Sequence, residues 1–134
     1  MFKKYYVFSF ALMSVAWFAI DPAMAETPKE ILVTIQQEAG SQPFSAVRGE
    51  NFFKSKHGRD LSCTSCHTDN PAVVGKHSET GKMIDPMAPS ANAERFTDPK
   101  KVAKWFKRNC NDVLDRACTP QEQGDVLSYL LAVK

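Results

Sequence analysis

Cys63-Thr64-Ser65-Cys66-His67 sets two thiols and an imidazole in one short run. A C-x-x-C-H run reads as the attachment site of a c-type haem. The two thiols stand three positions apart and can add across the two vinyl groups of a single haem. The histidine directly after the second thiol is then held under the iron as proximal ligand. C-x-x-C alone also serves zinc half-sites and thioredoxin-like redox pairs. A zinc ribbon would need a second C-x-x-C, and this sequence has none. The chemistry therefore points to haem c, with Cys63 and Cys66 as its thioether residues and His67 on the iron.

The other axial position decides what such an iron does. Met83, Met87, His57 and His77 are the usual residue types. A permanently bound methionine would make a plain electron-transfer cytochrome, the alternative reading of this chain. Methionine is equally a common core filler. His57 lies in the charged stretch Lys54 to Arg59, and His77 follows Lys76. Both read as solvated surface histidines.

A less usual candidate lies further on. At about 100° per residue, Val102, Trp105, Phe106 and Val113 share one helix face, and Lys100, Lys101, Lys104, Lys107 and Arg108 cover the other. Asn109 falls in the middle of the apolar face and Asn111 near the middle of the basic one. A primary amide turned into an apolar interior must find a partner or lose about 1–3 kcal/mol. Ferric iron would satisfy its oxygen; so would a hydrogen bond to backbone or to a haem propionate. Periodicity nominates Asn109 over Asn111 and leaves its partner open.

Other segments must position these residues. Lys3 and Lys4, an apolar run from Tyr5 to Ile20, and Ala23-Met24-Ala25 have the pattern of a cleaved secretory signal. The expected organisation is a signal peptide over 1–25 and one small domain over 26–134, exported and not membrane-anchored. Such a compartment permits disulfides, so Cys110 and Cys118, eight apart, are expected to pair. That bridge would contribute about 2–3 kcal/mol and fix the turn between the last two helices. The formal charge of +2 is too small to argue for nucleic acid.

Thr27-Pro28-Lys29-Glu30 is a capping-box start for a helix that Gly40 ends, and a second helix is expected from Ser45 to about Lys56. Gly49 inside it is either tolerated or marks the close approach of another helix. From Thr68 to Thr97 the composition predicts a long loop, sensible if it wraps a flat cofactor. Asp98-Pro99 opens the helix of Asn109. Thr119-Pro120-Gln121-Glu122 opens a terminal helix with Val126, Leu127, Leu130 and Leu131 inward. The inventory is all-α, four or five helices around a covalent haem, without convincing strand alternation.

Beyond the haem motif, Thr80-Gly81-Lys82, Ala88-Pro89-Ser90-Ala91, Arg95-Phe96-Thr97-Asp98, Lys104-Trp105, Arg108-Asn109-Cys110-Asn111 and Cys118-Thr119-Pro120 resemble the sphaeroides haem protein (SHP) family. The likeness runs from the helix before Cys63 to the C-terminus; the Arg-Asn-Cys-Asn segment and the second cysteine are its specific part. It implies a class I cytochrome c-like fold, with Gly49 where the N- and C-terminal helices cross. It implies that Asn109 is the distal ligand of the oxidised iron, that Cys110 and Cys118 are bridged, and that Met83 and Met87 pack on the haem beside Trp105 and Phe106. The implied protein is periplasmic. Reduction frees Asn109, and oxygen, nitric oxide, carbon monoxide or peroxide binds, with or without turnover. Its implied electron donor is a dihaem cytochrome c. One departure is the amount of methionine and histidine around the expected haem position.

Overall fold

The computed structural model describes residues 25–134. The expected signal segment, apart from Ala25, lies outside the described residues. Helix α1 (Pro28–Ala39) begins at a reciprocal capping box: the Thr27 hydroxyl accepts from Glu30 N–H at 3.3 Å, and Glu30 Oε2 accepts from Thr27 N–H at 2.6 Å. Gly40, at φ 90°, ends it. Ser45 caps α2 (Ala46–Lys54), which stops slightly before the expected boundary. The haem motif forms the single turn α3 (Thr64–His67). Asp98 caps α4 (Pro99–Leu114), and a second capping box at Thr119 starts α5 (Pro120–Ala132). No helix among the described residues is long and apolar enough to cross a membrane.

The stretch expected to be entirely loop contains a small antiparallel hairpin, β1 (Gly75–Lys76) and β2 (Met83–Ile84), pairing Gly75 with Ile84 and Lys76 with Met83. Strands of two residues are too short for a period-two pattern to be read in the sequence. The remainder of that stretch is tied down by backbone bonds. Met87 and Ala88 N–H both donate to the Pro71 carbonyl, at 2.7 and 2.9 Å.

Helix α5 is the centre of the fold, packed by α1 on one side and α2 on the other. It buries Val126, Leu127, Tyr129 and Leu130, so two apolar clusters share it. Ile31, Ile35 and Val102 join Leu127 in one; Phe53 joins Val126, Tyr129 and Leu130 in the other. Leu131, expected inward, is half-buried against the first.

The α2–α5 contact depends on Gly49. A Cβ there would overlap the Asp125 backbone carbonyl, so the close-approach reading of this glycine holds. Beside it, the Asp125 carboxylate accepts from Ser45 N–H (2.7 Å), from Arg48 Nε and Nη2 (2.8 and 2.9 Å) and from Gln121 Nε2 (3.1 Å). Burial alone would raise the Asp125 carboxyl; the bonds from Arg48, Ser45 and Gln121 outweigh it and hold the group below its ordinary value. A carboxyl depressed on folding contributes stability above its unfolded pKa and loses it as pH falls through the folded value. Asp125→Asn is therefore expected to flatten the acid limb of a stability-versus-pH curve measured by urea unfolding below about pH 4, the ordinary carboxyl range. Gly49→Ala should lower stability by about 1–3 kcal/mol or more through overpacking, read as a drop in the urea midpoint. An unchanged midpoint would show that the two helices can separate at no cost.

Candidate haem site

The attachment turn is held from three sides. Ser62 Oγ lies 2.6 Å from Thr64 Oγ1 and 3.2 Å from Ser65 Oγ, and Ser62 N–H donates to Ser65 Oγ at 3.0 Å, which tightens the entry to α3. Cys63 is half-buried against the Phe53 cluster. The hairpin covers the other side: Ser78 N–H donates to Cys66 Sγ at 3.3 Å, and Cys66 Sγ lies 3.5 Å from Ser78 Oγ. Strand β1 lies so close to α3 that a Cβ on Gly75 would overlap the Cys66 carbonyl and stand 3.1 Å from His67 Cα.

His67 is aimed into this packing. Its ring lies 6.2 Å from that of Phe53, centroid to centroid, and its Nδ1 is buried with no hydrogen-bond partner among the described residues. Burial above all, then Arg95 and His77, pushes the imidazole down to about 4, so it is neutral at physiological pH. A neutral imidazole is the form that ligates a metal. Burial likewise pushes the Cys63 thiol up to about 11, which suits neither a thiolate zinc ligand nor a redox nucleophile. Among the described residues no group of His, Cys, Asp or Glu is placed to hold a metal ion by itself, leaving the zinc alternative without a ligand set.

Helix α4 joins the rest of the fold through single residues. Val102 is buried in the α1–α5 cluster, Phe106 is half-buried against both clusters, and Cys110 is buried in a disulfide with Cys118, the Cα atoms 5.5 Å apart. Despite its length and strong amphipathy, α4 makes no helix–helix contact as extensive as that of α1 or α2 on α5. Asn109 is half-buried and Asn111 exposed, in keeping with their opposite faces. Trp105, expected on the apolar face, is 47% exposed, with the Arg108 guanidinium 5.5 Å above its ring.

The rival ligands have other engagements. His57 is half-buried rather than simply solvated: its Nε2 donates to the Phe52 carbonyl at 2.8 Å and its ring lies 4.6 Å from that of Phe52. His77 closes the hairpin turn, its Nδ1 accepting from Glu79 and Thr80 N–H at 3.3 Å. It too is half-buried. Both histidines face backbone groups close in sequence, which charged surroundings do not announce. Met87 packs on the Phe53 cluster with Cys63 and Phe106, whereas Met83 is 63% exposed on β2. Arg95, not singled out from residue chemistry, donates to the Pro86 and Asp85 carbonyls at 2.8 and 2.6 Å and so fixes the backbone leading into Met87.

A paired-thiol turn, an uncharged imidazole with an orphaned nitrogen and an amphipathic helix without a close helical neighbour fit a covalently held haem. Comparison with known proteins agrees. A family model described as a domain of unknown function (DUF1924) matches residues 39–130. Cytochrome c-type protein SHP of Cereibacter sphaeroides is 41% identical over 117 residues, which cover 83% of this chain and 89% of that protein. The chain belongs to the SHP family of cytochromes c. The structure of oxidised SHP, an oxygen-binding cytochrome c, superposes with a TM-score of 0.74 at 40% identity, covering 81% of this chain and 98% of that one. Cytochrome c'' of Methylophilus methylotrophus is 49% identical over 79 residues, 59% of this chain. The match spans about half of that relative's length, 55%. Its oxidised crystal structure gives a TM-score of 0.71 at 38% identity, over 80% of this chain and 94% of that one. The SHP family accounts for the all-α fold.

The contact at Gly75 is testable in the haem-loaded SHP-family protein. Gly75→Ala should reduce the stability of the holoprotein by about 1–3 kcal/mol, because hairpin or attachment turn must shift. Guanidinium unfolding followed at the Soret band reads this. Wild-type stability would mean that the hairpin does not press on the motif.

Proposed function

We propose that this is an exported, periplasmic monohaem cytochrome c whose distal residue, Asn109, closes the ferric site weakly and withdraws on reduction, admitting oxygen, nitric oxide, carbon monoxide or peroxide. The observation that carries the reading is the Asn109 amide, half-buried on the apolar side of a helix without a close helical neighbour. Kinship with SHP, an oxygen-binding cytochrome c, supports it. So does cytochrome c'', whose solution structure bears on the structural basis of haem-ligand detachment.

Bound haem supplies an iron that becomes softer on one-electron reduction and takes small diatomic ligands. The chain's part is to hold and to gate. Cys63 and Cys66 would hold the cofactor by thioethers, and His67, uncharged through burial, would give it a nitrogen ligand. Trp105 and Phe106, one turn before Asn109 on α4, would line the cofactor. A neutral amide oxygen is a hard, weak donor that suits ferric better than ferrous iron. Once released, the same side chain can turn its N–H toward an incoming ligand and donate a hydrogen bond. Cleavage after Ala25 leaves residues 26–134 as the working protein. Its electrons come from another cytochrome c, a dihaem one by family resemblance.

The absorption spectrum of the reduced protein tests this. A high-spin ferrous spectrum that shifts at once with carbon monoxide is expected; a low-spin one indifferent to carbon monoxide would return the protein to plain electron transfer with methionine as sixth ligand. Asn109→Ala should change the ferric spectrum and leave ferrous carbon monoxide binding intact. An unaltered ferric spectrum would reduce Asn109 to a buried amide.

A further inference from the structure

Asp98 at the N-cap is the one acidic group at the start of helix α4. Its first turn holds no acidic residue and instead carries Lys100 and Lys101, next to the positive end of the helix dipole. Lys100 and Lys104, and Lys104 and Arg108, are like charges four apart, a spacing that destabilises a helix. Compensation is slight. Lys101 reaches Asp98 only at 3.8 Å and Arg108 reaches Asp112 only at 3.9 Å, whereas Lys100, Lys104 and Lys107 have no salt-bridge partner among the described residues. All five cations are exposed. Between Pro99 and Asn111 there is no acidic residue, and since the whole chain is only +2, the rest of it is net acidic. Five cations are thus gathered on one helix face of an otherwise net-acidic chain.

We propose that this face, Lys100, Lys101, Lys104, Lys107 and Arg108, is the docking surface for an acidic redox protein. The inference rests on the reading that the protein receives electrons from another protein, and adds where that protein sits. Charge complementarity selects the partner: an acidic patch is drawn to the basic helix and repelled by the net-acidic remainder, which orients the encounter before contact. The position is functional because α4 also carries Asn109 on its opposite side and Trp105 between, the latter touched by Arg108. A partner seated here lies one helix diameter, about 10–12 Å, from the distal residue.

The test uses the ferric holoprotein and follows its reduction by flavodoxin, a small acidic electron donor, across ionic strength. Lys100→Glu/Lys104→Glu/Lys107→Glu is compared with Lys29→Glu/Lys82→Glu/Lys134→Glu, which makes the same change in net charge at exposed positions elsewhere. The α4 variant is expected to slow reduction at low salt by about tenfold or more and to lose most of its salt dependence. The control variant should remain within about twofold of wild type, and a neutral hydroquinone should reduce all three at one rate. Equal slowing of both variants, or of neither, overturns the proposal. So does binding of the wild type, but not of the α4 variant, to phosphatidylglycerol vesicles with flavodoxin rates unchanged, which would make the face a membrane contact. Carbon monoxide binding is read separately: its loss in all three proteins would strike the gas-binding reading and leave the docking result standing.

Discussion

The crossing of α2 over α5 is the constraint on which the remainder of the structure depends. Gly49 lets the two backbones meet at the Asp125 carbonyl, and Arg48 ties down the Asp125 carboxylate beside it. The chain leaves α2 at Lys54 and enters the attachment turn at Cys63, with Phe53, 2% exposed, packed at the crossing and facing His67. It enters α5 directly after Cys118, which is bonded to α4. One contact thus bears on the attachment turn, through α2, and on α4, through the start of α5 and the disulfide. A charge this deeply placed is tolerated because four donors meet it; without them its desolvation would favour separation of the helices.

Much of this was legible in the chain because it is written locally. Thr27 and Thr119 with their glutamates, Ser45, Asp98 and Gly40 each act within a turn of themselves, and the helices begin and end where those residues say. The haem motif is likewise contiguous. What escaped is what joins distant positions. Gly49 could not be decided alone, because its meaning lies in Asp125, which in sequence is one more polar residue on a terminal helix. His57 and His77 appeared solvated because charged neighbours say nothing about the Phe52 carbonyl or the amides of a hairpin turn. The hairpin was too short for any periodicity. Trp105 shows the reverse error: its place on the wheel was right, yet a face is only a direction, and burial needs something opposite.

The molecule is economical in protein-only core. Two clusters share one central helix, and the apolar residues of α4 attach to them through Val102 and Phe106 alone. The long segment between the attachment turn and α4 is anchored by Met87 and Phe96 on those clusters and otherwise ordered by polar ties: Pro71 accepting two amides, Arg95 reaching two carbonyls, His77 collecting two more amides. Such ties define a shape without filling it.

The disulfide has a mechanical meaning. Cys110 adjoins Asn109, so the amide sits beside the pin that fastens α4 to α5. At the other end of α4, Val102 is buried with Ile31, Ile35 and Leu127, so the helix is held at both ends. On the proposed reading, release of the Asn109 amide would then come from rotation about its own side-chain bonds, a rotamer change rather than a helix swing. Rotamer changes run in picoseconds to nanoseconds where helix motions take microseconds or longer. On the proposed reading, such a gate would be a latch with its hinge at one Cβ, mounted on a helix that is held at both ends.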